Sequence, residues 1–430
     1  MEAAVVKHPR DRRQLPGITR RVTSPDPVVM KFGGSSVADL ERLRQVARRV
    51  VERAAIQPVV VVVSAMGKTT NALLAQARTL VDPPPLRELD MLLSTGEREA
   101  MTLLAIAIHA LGRRAISLTG SQCGIITDHQ HGRARIIEVR PFRILDELAA
   151  GHIVIVGGFQ GVSYKREVTT LGRGGSDSSA VALAAALSAD CEIYSDVDGV
   201  YSADPSEVPE AQRLPELAYD TMQALARAGA KVLHAQAVQL AEERGIAIYA
   251  RHSRPEQRGE TVIRNNPAPT TGVLAVASDS VAALTLTLVP GRDHLTPQLA
   301  AGLAPLGLRA LHVDPRGATG LLSWTQRTDA AQIPARVGAV ARALRRDLLE
   351  LRCDDALALV SCVGVGLEDR PDITTQACEV LRAAGVAIRQ LLTDARSLAF
   401  LVAGAQRVLA VRQLHTALVP RRAMPDASLG

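Results

Sequence analysis

The chain is organised around the stretch Thr169-Thr-Leu-Gly-Arg-Gly-Gly-Ser-Asp177, which places three glycines, one arginine and one carboxylate within nine residues. An apolar segment at residues 152–156 precedes it and an alanine-rich segment at residues 178–189 follows it, so we predict a turn between a strand and a helix. Glycine lets backbone approach a ligand closely, and the first turn of a helix offers unpaired N–H groups to an anion. Arg173 could bind a carboxylate or phosphate through two parallel hydrogen bonds. The stretch therefore predicts an anion site, although a solvated surface loop would have the same composition.

The composition describes a soluble globular chain of more than one domain. Its 430 residues include 47% hydrophobic and 22% charged residues. The net charge of +6 would suit a nucleic-acid partner, but only 2% of the residues are aromatic, so rings that could stack on bases are nearly absent. We expect a small anionic substrate and no nucleic acid. No apolar run approaches the length of a membrane span, so no membrane association is expected.

Cysteine usage and the amino terminus both predict a cytoplasmic protein. The five cysteines form no Cys-x-x-Cys pair and their number is odd, so we expect buried thiols rather than a disulfide framework. Residues 1–27 are basic and proline-containing, and they lack the apolar middle region of a secretory signal. They are predicted to be a flexible tail.

Strand and helix patterns alternate from residue 28 to about residue 265, which predicts an α/β domain with a mostly parallel sheet. The polar loops mostly follow strands, where such sheets bind ligands. Strands are predicted at residues 28–32, 58–63, 115–118, 152–156, 191–196 and 246–250. Helices are predicted from about residues 37, 72 and 97, and at residues 140–150, 178–189, 219–227 and 234–243.

Charged residues occur beside glycines at two further places in this domain, around Lys31 and around Glu97. Lys31 ends the first strand and is followed by Gly33-Gly-Ser-Ser36, a phosphate-cradle pattern without the spacing of a Walker A loop. Ser36 with Asp39 resembles a capping box that would begin the next helix. Glu97 is expected near a helix amino terminus. It could have a role in a ligand site, or it could simply stabilise the helix through a favourable interaction with the helix dipole.

A different pattern begins at about residue 268 and occurs twice, with copies starting at residues 283 and 357, 74 residues apart. Each copy combines strands with helices, as in a split ferredoxin-like module. The predicted helices are residues 295–306, 334–349, 373–384 and 406–418. We therefore predict a tail at residues 1–27, a catalytic domain at 28–267, and two modules at 268–352 and 353–430.

Many separate motifs together resemble the aspartate kinases of the amino acid kinase family. The matching segments are Lys31–Val37, Val63–Gly67, Ser94–Arg98, Leu118–Gln122, Gly157–Gly161, Thr170–Asp177, Asp196–Tyr201 and Gly229–His234. The two modules resemble the ACT domains that follow this kinase domain. The resemblance implies a three-layer αβα sandwich with a mostly parallel central sheet, followed by two ferredoxin-like ACT modules. It also implies phosphorylation of the side-chain carboxylate of L-aspartate by ATP and Mg²⁺ to 4-phospho-L-aspartate, for lysine, threonine and methionine synthesis.

The resemblance also assigns roles to individual residues. Lys31 would reach the transferring phosphate and Asp177 would orient it, while Arg173 and Glu97 would bind the α-carboxylate and α-ammonium of aspartate. Gly174, Gly175, Ser176, Ser64 and Thr70 would complete the substrate site. The nucleotide would contact Lys31, Gly33, Gly34, Ser35, Ser195, Asp196, Tyr201 and Lys231. An aspartate side chain, with a pKa of about 3.9, needs no general base at neutral pH. No dedicated metal cluster is found in the sequence, and Mg²⁺ is expected on ATP phosphates and water.

Three departures from the family pattern affect these expectations. Asp204-Pro-Ser206 replaces the usual Asp-Pro-Arg, which removes a possible phosphate contact. Val313-Asp-Pro-Arg316 and Leu392-Thr-Asp-Ala-Arg396 replace segments that commonly contact lysine or threonine. The resemblance thus favours a homodimer or larger homo-oligomer formed through the modules, and leaves an amino-acid effector there an open question. Glycine-bearing loops such as Gly364-Val-Gly366 would suit an effector carboxylate, but structural packing would explain them equally.

Two alternatives to an aspartate kinase remain at this point. One is a kinase for another carboxylate, such as glutamate or an acetylated amino acid. Arg173 together with Glu97 disfavours the acetylated case, because only a free amino acid needs both charges met. The other is an amino-acid-binding regulatory protein without catalysis, which the presence of Lys31, Asp177 and Asp196 argues against.

Overall fold

Runs of β-branched residues build one large sheet that organises the amino-terminal part of the chain. The computed structural model describes residues 26–254, 256–257, 259–268, 271–288, 301, 308–314, 317–323 and 348–420. The strands are β1 (Val28–Phe32), β2 (Val59–Val63), β3 (Ala115–Leu118), β4 (Ile125–Thr127), β5 (Ile136–Val139), β6 (Ile153–Gly157), β7 (Gln160–Ser163), β8 (Val168–Thr170), β9 (Asp190–Ser195), β10 (Val200–Tyr201), β11 (Arg213–Leu214), β12 (Glu216–Leu217), β13 (Ile248–His252), β14 (Glu260–Ile263), β15 (Gly272–Leu288), β16 (Leu308–Asp314), β17 (Gly317–Ser323), β18 (Leu348–Val365), β19 (Gln390–Asp394) and β20 (Ser397–Ala403).

Helices lie between these strands. They are α1 (Leu40–Ala54), α2 (Thr69–Leu80), α3 (Leu86–Ala110), α4 (Phe142–Ala149), α5 (Gly175–Leu187), α6 (Tyr219–Ala228), α7 (Ala235–Arg244), α8 (Pro371–Ala383) and α9 (Arg407–Leu418), with a short 3₁₀ turn at Gly404–Gln406 before the last. Among the described residues, no helix has both the length and the apolar composition needed to cross a membrane.

The main sheet has eight strands in the order β12-β14-β13-β9-β1-β2-β6-β3. Strand β1 runs parallel to β2 and β9, and β6 runs parallel to β2 and β3, so the carboxyl ends of these five strands share one edge. Strand β2 is buried along its whole length, as expected for an all-valine strand between two helical layers. The mostly parallel sheet predicted from the sequence is confirmed.

Each face of the main sheet carries its own hydrophobic cluster because side chains alternate along a strand. On β1, Val28, Met30 and Phe32 join the cluster with α1 and α3, whereas Val29 joins the cluster with α5, α6 and α7. The result is the expected three-layer αβα sandwich. The alternation also puts Lys31 on the face that α5 covers.

Two predictions about the catalytic domain's local structure are wrong. The stretch at residues 169–177 does run from a strand into a helix, as predicted, but the strand is β8 rather than β6, because the chain first forms β7 and β8, which belong to a separate four-stranded sheet of order β5-β4-β7-β8. Asp39 is itself the amino-terminal cap of α1, accepting a hydrogen bond from Arg42 N at 2.9 Å. Ser36 therefore does not begin that helix.

Glu97 does not lie near a helix amino terminus, so the expectation based on the helix dipole is also wrong. Helix α3 begins at Leu86 and continues through Gly96 to Ala110. A Cβ on Gly96 would lie 2.8 Å from Ala65 Cβ, so close packing against the loop after β2 requires glycine inside this helix. Tertiary packing here outweighs the cost of a helical glycine.

The carboxyl-terminal strands form one six-stranded sheet of order β16-β17-β15-β18-β20-β19. Strands β15 and β18 pair antiparallel along their length, while β17 pairs with the second half of β15 and β20 with the second half of β18. The ferredoxin-like arrangement is thus shared between the two modules, and the predicted boundary between residues 352 and 353 lies inside β18. The predicted helix at residues 295–306 lies outside the described residues apart from residue 301, and residues 334–347 of the next lie outside them too.

The cysteines follow the expectation except at one position. Cys123, Cys191 and Cys362 are buried free thiols, and Cys378 is half-buried. Cys353, in the first half of β18, is exposed. Of the predicted tail, residues 1–25 lie outside the described part of the chain.

Candidate active site

An ion pair between Lys31 of β1 and Asp177 of α5 lies at the carboxyl edge of the main sheet. Lys31 Nζ is 2.6 Å from Asp177 Oδ1, and both side chains are about nine-tenths buried, with exposed fractions of 12% and 9%. Asp177 is in the first turn of α5, where a carboxylate is favoured by the helix dipole. A Cβ on Gly33 would lie 3.4 Å from Lys31 Nζ, so the ammonium is held directly against the glycine turn.

The turn after β1 has the properties of a phosphate cradle. A Cβ on Gly34 would lie 2.8 Å from Ala65 O, so only glycine fits this close approach of two backbones. The side chain of Ser35 is exposed, whereas Ser36 is buried and its Oγ has no hydrogen-bond partner among the described residues. A hydroxyl in this state costs free energy unless a ligand satisfies it. Ser36, which lies in the predicted cradle pattern but was given no nucleotide contact of its own, is thus a further candidate for contact with phosphate.

Glu97 reaches the same edge from the opposite helical layer. Its Oε1 accepts a hydrogen bond from Ala65 N at 3.1 Å, while its buried Oε2 has no partner in the described part of the chain. Burial raises the pKa of Glu97 to about 7, and the hydrogen bond from Ala65 opposes that rise. The side chain packs beside Gly157, where an added Cβ would lie 3.4 Å from Glu97 Cβ. A cation placed at Oε2 would both satisfy the oxygen and favour ionisation.

Arg173 is presented to solvent between two glycines with left-handed backbone. Gly172 has φ +74° and Gly174 has φ +71°, conformations that residues with a Cβ adopt at a cost. Gly174 caps α5. A Cβ on Gly175 would lie 2.8 Å from Leu171 Cβ, so this turn is closely packed as well as sharply bent.

Ser176 connects the Arg173 turn with the Glu97 side of the site. It is buried, and an added Cβ on Gly158 would lie 2.9 Å from its Oγ. Gly158 follows Gly157 at the end of β6, which adjoins Glu97. Ser64 and Thr70 are half-buried, one directly after β2 and the other at the start of α2. The substrate residues predicted from the sequence therefore lie around the ends of adjacent strands.

His234 is a residue of this site that the sequence analysis did not assign. Its ring lies against Gly174, where a Cβ would come within 2.1 Å of His234 Cγ. Burial lowers the pKa of His234, the charge of Asp177 raises it, and the charges of Arg173 and Lys31 lower it. All three charged groups therefore lie near one ring. The motif Gly229–His234 was the available signal, since it ends at this histidine.

A cavity of about 450 Å³ brings together four of the residues predicted to contact a nucleotide. Ser195, Asp196, Tyr201 and Lys231 all line it. The Tyr201 hydroxyl donates a 2.7 Å hydrogen bond to Asp198 Oδ1, and burial followed by this bond raises the pKa of Tyr201 to about 12. Residues of β15 and α9, which belong to the modules, complete the wall of the cavity.

No group of three or more His, Cys, Asp or Glu residues in the described part of the chain is arranged to hold a metal ion. The donors near the cradle are instead an ammonium, backbone N–H groups and hydroxyls, which suit phosphate oxygens. A divalent cation accompanying a nucleotide would fit such a site through the phosphates and water.

Comparison with known proteins gives matches over most of the chain. The amino acid kinase family matches residues 26–251, and an ACT domain matches residues 360–418. The chain is 41% identical over 403 residues to the aspartokinase of Mycolicibacterium smegmatis, covering 91% of this chain and 95% of that protein. Crystal structures of Escherichia coli aspartokinase III are 25% identical and cover 91% of this chain and 99% of theirs. The TM-score is 0.77 for the complex with aspartate and ADP and 0.72 for the complex with lysine and aspartate.

Proposed function

The chain belongs to the amino acid kinase family and, within it, to the aspartokinases, and we propose that it transfers the γ-phosphoryl group of ATP to the side-chain carboxylate of L-aspartate. The product would be 4-phospho-L-aspartate. The observation that carries this proposal is the meeting, at one sheet edge, of the buried Glu97 carboxylate with the Lys31–Asp177 ion pair and the Arg173 turn. An amino acid with two carboxylates and one ammonium needs this set of charges.

In the proposed complex, Arg173 binds the α-carboxylate of aspartate through its planar guanidinium. The Oε2 of Glu97, which has no partner among the described residues, accepts a hydrogen bond from the α-ammonium, and Ser64 and Thr70 help to frame the substrate. Ser176 and the amino terminus of α5, with Gly174 and Gly175, complete the site around the substrate carboxylates. Together these contacts would orient the side-chain carboxylate of aspartate towards Lys31.

The chemical step joins a carboxylate oxygen to the γ-phosphorus and breaks the bond from that phosphorus to the oxygen bridging it to the β-phosphorus. The substrate carboxylate is already ionised near pH 7, so no proton has to be removed. Catalysis then consists of holding two anions together and neutralising the charge that develops on the phosphoryl oxygens. Lys31, held by Asp177, and the Gly33-Gly34 turn with Ser35 and Ser36 supply that stabilisation.

The nucleotide in this proposal occupies the cavity lined by Ser195, Asp196, Tyr201 and Lys231. Its phosphates extend towards Gly33 and Lys31. Mg²⁺ would supply charge neutralisation from its place on those phosphates, since the donors of this chain fit phosphate oxygens rather than a bare cation.

The remaining expectations concern pathway and assembly. We propose that the product serves synthesis of lysine, threonine and methionine in the cytoplasm, and that the six-stranded sheet mediates a homodimer. Escherichia coli aspartokinase III has been crystallised with lysine, which supports testing lysine and threonine as effectors here. Because residues 313–316 and 392–396 depart from the family pattern, inhibition should be tested by titrating lysine and threonine against activity. Sedimentation of the protein tests the homodimer.

The direct test is ADP release with a panel of carboxylates. L-Aspartate should support turnover, whereas N-acetyl-L-aspartate and L-glutamate should not, because the first lacks the ammonium and the second is longer. Trapping the acyl phosphate with hydroxylamine identifies the product. Arg173→Ala should raise the KM for aspartate, and Lys31→Ala should lower kcat. The proposal fails if L-aspartate gives no turnover above background while ATP binds.

A further inference from the structure

The loop that carries part of the nucleotide cavity is supported by the carboxyl-terminal module rather than by the kinase domain alone. This loop, residues 196–213, begins after β9 and includes the short strand β10, which pairs with β11. Within it, Ala203 and Val208 belong to a hydrophobic cluster with Val411 and Leu414 of α9. Ser202 Oγ also lies 2.9 Å from His415 Nε2 in a buried contact.

One guanidinium forms the strongest polar connection between the loop and α9. Arg407 Nη2 donates to Glu207 Oε1 at 2.7 Å and Arg407 Nη1 to Glu207 Oε2 at 3.0 Å, a bidentate pair. Arg407 Nη1 also donates to Ser278 Oγ of β15 at 2.8 Å. Arg412 adds a bond from Nε to Glu207 O at 2.6 Å. Glu207 is therefore held through both its side chain and its backbone.

The same pair faces the nucleotide cavity. Glu207 and Arg407 both line it, together with Tyr201 and Lys231. At position 206, where relatives commonly have arginine, the Ser206 hydroxyl instead donates to Asp204 Oδ1 at 2.6 Å. That bond chiefly lowers the pKa of Asp204, and the charges of Lys231 and Arg407 lower it further. The guanidinium of Arg407 on α9 thus supplies a positive charge at the wall of the nucleotide cavity, whereas position 206 supplies none.

We propose that Arg407 is a nucleotide-positioning residue of the kinase: acting through Glu207, it holds the loop that carries Tyr201 in the conformation that binds ATP. The inference rests on the proposed nucleotide site. It assigns a role in the kinase reaction to a side chain of the ACT module, at the first residue of α9. Changes in the packing of α9 then alter ATP affinity without any change in the residues that bind aspartate.

The experiment measures ATP affinity by calorimetry and steady-state constants for both substrates in wild type, Arg407→Gln, Glu207→Gln and the double variant. Each single change should raise the Kd and KM for ATP about tenfold or more, the range expected from loss of one charge-assisted pair. The KM for aspartate should stay within about twofold, since the aspartate site is on other elements. The double variant should be no worse than either single variant. Arg407→Lys should recover part of the affinity because it keeps one charged donor.

The matched control is Arg389→Gln, which removes an exposed arginine of the same module whose partner is Asp354 at 2.7 Å. It should leave ATP binding unchanged. The inference is overturned if Arg407→Gln melts like wild type and binds ATP equally well, if both substrate constants rise together, or if the two changes are additive. If Arg407→Gln does not fold, Glu207→Gln and Arg407→Lys decide by the same criteria. A wild type that binds no ATP overturns the inference and the proposed function together, whereas one that binds ATP without phosphorylating aspartate overturns only the latter.

Discussion

Glu97 carries a pH dependence that follows from its burial. Its pKa of about 7 means that it is largely protonated at pH 6 and largely ionised at pH 8. The ionised form is the one that binds an ammonium, so kcat/KM for aspartate should rise about tenfold from pH 6 to pH 8. Initial rates at low aspartate concentration across this range test the prediction, and kcat at saturating aspartate should vary less. A flat profile would contradict the role given to Glu97.

The same carboxyl should make the unliganded protein less stable as pH rises. Its pKa in the fold lies above the ordinary value of 4.5, so the fold favours the protonated form. The unfolded chain loses this proton first, and stability from this group falls between about pH 4.5 and pH 7. Glu97→Gln keeps the neutral form at every pH. It should melt at a higher temperature than wild type at pH 8, while losing aspartate binding and the pH dependence described above.

The turn before α5 provides a test of close packing at a single atom. Gly174→Ala combines a backbone with φ +71° and a Cβ placed 2.1 Å from the ring of His234. Gly112 has φ +75° and nothing within 4 Å of an added Cβ, so Gly112→Ala isolates the backbone cost of about 1–2 kcal/mol. We expect Gly174→Ala to be destabilised clearly more than this control and to lose activity. Adding His234→Ala should restore part of the stability, and equal melting temperatures for the two alanine variants would refute the contact.

Sequence patterns predicted Lys31, Asp177, Glu97 and Arg173 as candidates because a charge beside a glycine turn or a strand end is visible locally. They could not predict that His234 lies at the same site, or that the Ser36 hydroxyl is buried without a hydrogen-bond partner among the described residues. His234 comes near Gly174 where α7 packs against α5. Neither feature follows from spacing along the chain.

At the scale of elements, apolar residues that recur with a period of 3.6 or 2 residues predicted most helices and strands of the kinase domain. The exceptions have a common cause. Helix α3 continues through Gly96, and β7 and β8 intervene between β6 and the turn before α5, because packing partners distant in sequence stabilise these segments. From the sequence alone, a glycine inside an apolar pattern suggests that the helix ends or begins there. The residue that packs against the glycine, and so explains it, is visible only in the structure.

Helix α3 also anchors the Arg173 turn through Asp90, whose side chain is fully buried. Asp90 accepts hydrogen bonds from Thr170 Oγ1 at 2.5 Å and from Gly132 N at 3.0 Å, and it lies 2.7 Å from His131 Nδ1. Thr170 ends β8, three residues before Arg173. Asp90→Asn should lower the free energy of unfolding by about 2–4 kcal/mol and raise the KM for aspartate, because the turn loses its charged acceptor.

Thermal unfolding and aspartate kinetics of Asp90→Asn should be compared with those of Asp128→Asn. Asp128 accepts from Gln130 N at 3.1 Å and Arg135 N at 3.2 Å in a more exposed part of the same loop. The control should change the melting temperature and the KM little. If both variants behave alike, the anchoring of the Arg173 turn by Asp90 is wrong.

At the scale of the whole molecule, the kinase domain and the modules share hydrophobic core. Leu274 and Ala275 of β15 and Val363 of β18 belong to the same cluster as the strands and helices of the main sheet. The nucleotide loop in turn packs on α9. Sequence analysis predicted separate consecutive domains, because each pattern is local, whereas the pairing of β15 with β18 and their burial against α6 depend on the assembled chain.

A shared core predicts one cooperative unfolding transition rather than one for each domain. ADP, which would bind in the nucleotide cavity at one end of this shared core, should then raise the melting temperature of the whole protein, by an amount that corresponds to about 2.7 kcal/mol at one hundred times its Kd. Val363→Ala should lower the same single transition, since Val363 is fully buried in that cluster. Leu349→Ala, on the same strand at 65% exposure, is the control and should have little effect. Differential scanning calorimetry showing two transitions, of which only one responds to ADP, would mean that the shared core does not couple kinase and modules.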